Sequence, residues 1–102
     1  MIKHIHDKNE FLKEIADNDK VLVDFFATWC GPCQMLTPVV EKVSKDHPEL
    51  LVIKVDVDQG PELAAMYTIF SVPTLQYFEK GQLVRQEAGY RPEASLLKFV
   101  NL

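Results

Sequence analysis

The chain switches repeatedly between two hydrophobic periods, and the switches divide it into strands and helices. Ile2 to His6 alternates weakly and predicts a short strand at a sheet edge. Asp7, with Glu10 three residues on, forms a capping box that opens a helix; Phe11, Leu12, Ile15 and Ala16 supply its apolar stripe, and Asn18-Asp19 ends it. Val21-Leu22-Val23-Asp24-Phe25-Phe26-Ala27 is apolar at odd and even positions alike, the mark of a central strand covered on both faces. A helical period follows in Met35, Leu36, Val39, Val40 and Val43, from about Gly31 to about Asp46. Pro38 inside it removes one backbone hydrogen bond and predicts a kink. Leu51 to Val57 reads as a second central strand, and the strand, long helix, strand order implies a parallel, right-handed crossover.

Further on, Pro61 stands in the first turn of a short helix with Leu63, Ala64 and Tyr67 inward. Leu75 to Phe78 and Leu83 to Ala88 are strands joined through Lys80-Gly81, a connection short enough for an antiparallel hairpin. Gly89 breaks the second strand, and Pro92 opens a last amphipathic helix carrying Leu96, Leu97, Phe99 and Val100. The order β-α-β-α-β-α-β-β-α predicts an α/β fold with a mixed central sheet flanked by helices on both faces. Its 102 residues suffice for one domain, residues 1–102, and contain no repeat or linker.

Composition narrows the function. The net charge is −4 and no basic cluster occurs, which argues against nucleic acid. No apolar run approaches the ~20 residues of a membrane span, and Met1 to His6 has no apolar signal core, so the expected location is cytoplasmic. At 47% hydrophobic residues, the chain needs no disulfide to fold. Its two cysteines, Cys30 and Cys33, therefore point to chemistry more than to stapling.

These cysteines fall where the first central strand turns into the long helix. Free N–H groups and the positive dipole end of a helix favour a thiolate at Cys30. Cys33 lies one turn on and shares its face, so the sulfurs can join without large backbone movement. Gly31 permits a tight turn, and Pro32 fits the first helical turn without losing a hydrogen bond. Asp24 is the only anion of the first central strand and Lys54 the only cation of the next; if the strands are neighbours, the two can face each other. Against this stand a strand-end Asp24 reaching water and a Lys54 extending to solvent.

Trp29-Cys30-Gly31-Pro32-Cys33, preceded by Val23-Asp24-Phe25-Phe26-Ala27 and followed by Pro38, Lys54, Val72-Pro73-Thr74, Gly81 and Gly89, resembles the thioredoxin family over essentially the whole chain. The resemblance implies a thioredoxin-like fold and a protein thiol–disulfide oxidoreductase that reduces disulfides in other proteins. It implies Cys30 as nucleophile, Cys33 as resolving thiol, Asp24 as proton acceptor for Cys33, and Lys54 as the charge that tunes Asp24. It also implies a cis bond before Pro73, and a docking surface of Trp29, Gly31, Pro32, Val72, Pro73 and Gly89. The expected partners are disulfide-containing proteins and a flavin-containing thioredoxin reductase using NADPH. FAD and NADPH enter through that reductase only; the chain itself is expected to bind no cofactor or metal and to be a monomer. Two positions depart from the family pattern: Gln34 stands where many members have lysine, and Phe26 where many have tryptophan.

Two other classes remain open on the sequence. His4, His6 or His47 could complete a zinc site with the two cysteines, and the same surface could serve a purely binding role.

Overall fold

The computed structural model describes every residue from Met1 to Leu102. The elements follow the expected order: β1 (Ile2–His4), α1 (Lys8–Asp17), β2 (Lys20–Phe26), α2 (Gly31–Asp46), β3 (Leu51–Asp56), α3 (Pro61–Met66), β4 (Thr74–Glu79), β5 (Gln82–Ala88) and α4 (Glu93–Phe99). The sheet runs β1-β3-β2-β4-β5. β1 and β2 lie parallel to β3, β4 is antiparallel to β2, and β5 is antiparallel to β4. β2 and β3 thus have neighbours on both sides, and their continuous apolar runs are explained by two covered faces.

Alternation along these strands sorts the core into two halves. Val21, Val23 and Phe25 of β2 join Ile53 and Val55 of β3 on the side of α1 and α3, where Phe11, Ile15 and Leu63 pack. Leu22 and Val52 face the other way, against Leu36, Val40 and Val43 of α2 and Leu96 and Phe99 of α4. Asp24 and Lys54 are in register as direct cross-strand neighbours, two residues beyond Leu22 and Val52. Both therefore project toward α2.

The Lys80-Gly81 turn and the Asp7 cap behave as their chemistry predicts. The Lys80-Gly81 turn places both residues at positive φ, 50° and 83°, the left-handed conformation that a tight hairpin needs and that glycine adopts freely. Helix α2 continues without a break through Pro38. At the start of α1, the Asp7 side chain accepts the Glu10 backbone N–H at 2.9 Å. Replacing Asp7 by alanine removes this cap and is expected to lower stability by about 1 kcal/mol, read from the denaturant midpoint. An unchanged midpoint would mean that tertiary packing alone holds the first turn.

Candidate functional site

The carboxyl end of β2 fixes the entry into α2. Phe26 O accepts from Val57 N at 2.9 Å, and Ala27 O accepts from Cys30 N at 3.3 Å. Cys30 thereby becomes the N-cap of α2, with extended backbone angles of −95° and 113°. Its sulfur accepts the Cys33 backbone N–H at 3.2 Å. The first turn of α2 thus donates one of its unpaired N–H groups to this sulfur, stabilising negative charge there. Gln34 N donates to Cys30 O at 3.2 Å, and the Gln34 side chain donates to Thr28 O at 3.2 Å, tying the turn from outside.

Cys30 and Cys33 are joined in a disulfide, their Cα atoms 5.3 Å apart. Both are almost equally buried, at 5% and 4% exposure. In this oxidised form the two differ in position on the helix: Cys30 caps it and Cys33 lies within its first turn. Gly31 has ordinary negative φ, and a Cβ added to it would meet nothing within 4 Å. No backbone demand for glycine exists at that point; what Gly31 leaves is a bare approach to the sulfurs beside the exposed Pro32.

Val72 and Pro73 close the other side. The bond between them is cis, as the resemblance implies. Val72 O lies 3.7 Å from Cys30 Sγ. Gly89 N donates to Pro73 O at 2.8 Å, and Gly89 has φ of 106°, a backbone conformation strained for any residue with a Cβ. The structure therefore brings Cys30, Val72, Pro73 and Gly89 to one place. Trp29, 71% exposed, donates its indole N–H to Asp58 Oδ2 at 3.0 Å. Asp58 N is itself held by Asp56 Oδ1 at 2.9 Å. Trp29 and Val72, with Val57, Ile69, Phe70 and Ser71, line a mostly apolar groove, and Phe70 is 91% exposed. Asp58 and Phe70 escaped the sequence reading, because exposed loop residues carry no periodic signal.

Beneath α2, Asp24 is only 1% exposed, so the reading of it as a solvated strand-end residue is ruled out. Neither of its carboxyl oxygens has a hydrogen-bond partner. Lys54 Nζ stands 3.9 Å from Oδ2, close enough for attraction and too far for a hydrogen bond. Burial pushes the Asp24 carboxyl up from its ordinary 3.8 to about 6, against the opposing pull of Lys54. Lys54 does not extend to solvent either: its side chain is 10% exposed. Its ammonium donates to Thr37 Oγ1 at 3.4 Å and lies 4.7 Å from the centre of the Phe26 ring. Thr37 Oγ1 in turn donates to Cys33 O at 3.1 Å. Asp24, Lys54, Thr37 and Cys33 are thus linked in sequence on the α2 face of the sheet. Thr37 was legible in principle, since it stands four residues after Cys33 on one helix face.

For metal chemistry, no three or more His, Cys, Asp or Glu side chains converge as a ligand set. His4 packs edge-on to Phe26, ring centres 6.1 Å apart, and His47 Nδ1 lies 3.6 Å from Glu49. No helix is long and apolar enough to cross a membrane.

Residues 2–102 match the family model described as Thioredoxin. A thioredoxin of Mycoplasmoides gallisepticum is 41% identical over 99 residues, covering 97% of this chain and 99% of the relative. A bifunctional thioredoxin reductase/thioredoxin of Mycobacterium leprae is 42% identical over 95 residues, covering 92% of this chain and 21% of that longer protein. Among solved structures, oxidised mitochondrial thioredoxin 3 of Saccharomyces cerevisiae superposes with a TM-score of 0.91 at 35% identity, covering 99% of this chain and 95% of that one.

The raised midpoint of Asp24 sets a pH dependence with a definite sign. Below the unfolded midpoint of 3.8 the carboxyl is neutral in both states and carries no ionisation cost. The cost grows as pH rises and is complete above about 6. A midpoint about two pH units above its unfolded value corresponds to about 3 kcal/mol. Asp24→Asn keeps the shape and cannot ionise. It is expected to be more stable than wild type at neutral pH by up to about that amount, less whatever Lys54 loses with its anion, with the gain vanishing toward pH 4. Denaturant melts from pH 4 to 9 test this. Stability at or below wild type at pH 7 would mean that the carboxylate is well compensated in the fold.

Proposed function

The chain belongs to the thioredoxin family, and we propose that Cys30 is its attacking thiolate and Cys33 its resolving thiol. It is a protein thiol–disulfide oxidoreductase that reduces disulfides in other proteins by cycling the Cys30–Cys33 pair between dithiol and disulfide. The observation that carries the division of labour is the place of Cys30 as N-cap, its sulfur receiving the Cys33 N–H.

In the first step the Cys30 thiolate attacks one sulfur of a substrate disulfide. A Cys30–substrate bond forms, the substrate S–S bond breaks, and the other substrate sulfur leaves as thiolate. In the second step Cys33 gives up its proton, its thiolate attacks Cys30 Sγ, and the remaining substrate sulfur departs. Two electrons have passed to the substrate, and the disulfide seen here is the product. Asp24 accepts the Cys33 proton, directly or through water. A buried carboxyl with a midpoint near 6 and two free oxygens is suited to that task near neutral pH. Lys54 tunes it by charge.

An extended segment of the substrate docks across Trp29, Gly31, Pro32, Val72, Pro73 and Gly89. Support comes from the exposure of Trp29 and from the closeness of Val72 O to Cys30, where an added strand could pair with backbone. The oxidised chain is recharged by a thioredoxin reductase that holds FAD and draws on NADPH; the relative fused to a reductase in Mycobacterium leprae supports that pairing. The protein works as a cytoplasmic monomer, in a reducing compartment where such a disulfide is transient.

Cysteine variants test the roles. Cys30→Ser is expected to abolish insulin-type disulfide reduction. Cys33→Ser is expected to attack and stall, accumulating mixed disulfides with substrate that mass spectrometry maps to Cys30. Adducts forming with equal ease at Cys33 in the Cys30→Ser variant would overturn the assignment.

A further inference from the structure

The pair formed by Asp24 and Lys54 does not close to hydrogen-bond distance, although the two groups carry opposite charge and both are buried. Their separation is 3.9 Å, about 1 Å beyond a charge-assisted hydrogen bond. The reason lies in what else holds the lysine. Its ammonium has a hydrogen bond to Thr37 Oγ1 at 3.4 Å on one side and the face of Phe26 at 4.7 Å on another. The Thr37 hydroxyl is not free to follow it, because its own proton is committed to Cys33 O at 3.1 Å. We propose that Thr37 is a positioning residue of the resolving step: its hydroxyl, bonded between the Lys54 ammonium and the Cys33 carbonyl, holds that ammonium against α2 and short of contact with Asp24.

The consequence follows from distance. A carboxylate in hydrogen-bonded contact with an ammonium is a weak base, because contact stabilises its charged form. Held apart, Asp24 keeps both oxygens unpartnered and its midpoint high. Thr37 also anchors this arrangement to the turn that carries Cys33, so the lysine is placed relative to the thiol that must lose its proton. Other groups around the carboxyl do not supply this effect. Across β4, Asp24 stands level with the apolar Leu75. From α2 come Cys33 and Thr37. On β1, His4 stands level with Lys54, on the side away from Asp24. Asp56 lies two residues further along β3, engaged with Asp58 N.

The effect of Thr37 on the reaction rests on the reading of Asp24 as the base; its effect on Asp24 does not. The experiment therefore has two arms. In the oxidised protein, where the cysteines do not titrate, the carboxyl-carbon NMR shift of Asp24 is followed against pH. Thr37→Val keeps the volume and removes the hydroxyl, releasing Lys54 toward the carboxylate. The Asp24 midpoint is expected to fall by about one pH unit, and Thr37→Ser, which keeps the hydroxyl, is expected to restore it. If Thr37→Val does not fold, Thr37→Ala takes its place with the same expectation. A midpoint that stays or rises in the variant lacking the hydroxyl overturns the proposal, as does a serine variant that behaves like valine. The second arm follows release of a mixed disulfide against pH, which should shift with the Asp24 midpoint. If the midpoint falls and the release profile stays put, Thr37 is confirmed as the positioner of Lys54 and it is the base role of Asp24 that fails.

Discussion

The site depends on how the end of β2 is pinned. Val57, just past the end of β3, satisfies the Phe26 carbonyl, and Cys30 satisfies that of Ala27, so the chain turns from strand to helix with its backbone bonds committed. That turn makes Cys30 an N-cap and turns a helix N–H toward its sulfur. A frayed turn would leave the same two cysteines with ordinary thiol chemistry. The long strand β2, central in the sheet and buried on both faces, is what resists fraying. The apolar run before the cysteines is in this sense part of the chemistry.

Against that rigid frame, the polar groups below α2 look misplaced. Asp24 and Lys54 occupy positions where Leu22 and Val52 set the local pattern, and neither gains a full hydrogen-bonded ion pair in return. A hydrophobic pair would stabilise the fold better. On the proposed role of Asp24 as proton acceptor, their presence is understandable: stability is subordinate to a base placed where it is buried. The geometry argues the same way, since a pair serving stability alone would be expected to close to hydrogen-bond distance. Here the threonine and the phenylalanine hold the cation, and the carboxylate keeps its lone pairs.

Most of this frame was legible in the sequence, and the exceptions have physical reasons. Strand and helix order came through because burial on two faces imposes continuous apolar runs on β2 and β3, while α1, α2 and α4 show a helical stripe. The pairing of Asp24 with Lys54 could be raised because one is the only anion of its central strand and the other the only cation of the next. Sequence could not show that both cysteines are equally buried, because exposure depends on how the Val72-Pro73 segment, some forty residues on, folds over them. Nor could it show that Trp29 is tied to Asp58, a contact between two loops. The turn at Gly31 differs for a related reason: a glycine there suggests a conformational demand, and the backbone has none.

The two departures from the family pattern acquire different meanings once their surroundings are known. Gln34 replaces a charge near Cys30 with an amide that bonds Thr28 O across the turn. An exposed lysine would act on the thiolate through solvent, where screening weakens it; the amide acts mechanically, by holding the turn that creates the N-cap. Phe26 is less peripheral. Its ring faces the Lys54 ammonium, and a phenyl face attracts a cation less strongly than an indole does. With tryptophan there, the ring alone would hold the lysine more firmly. With phenylalanine, more of the restraint falls to the hydroxyl of Thr37, to which that ammonium donates a hydrogen bond. The exchange at position 26 and the threonine at position 37 are therefore read together, as two anchors of one charge.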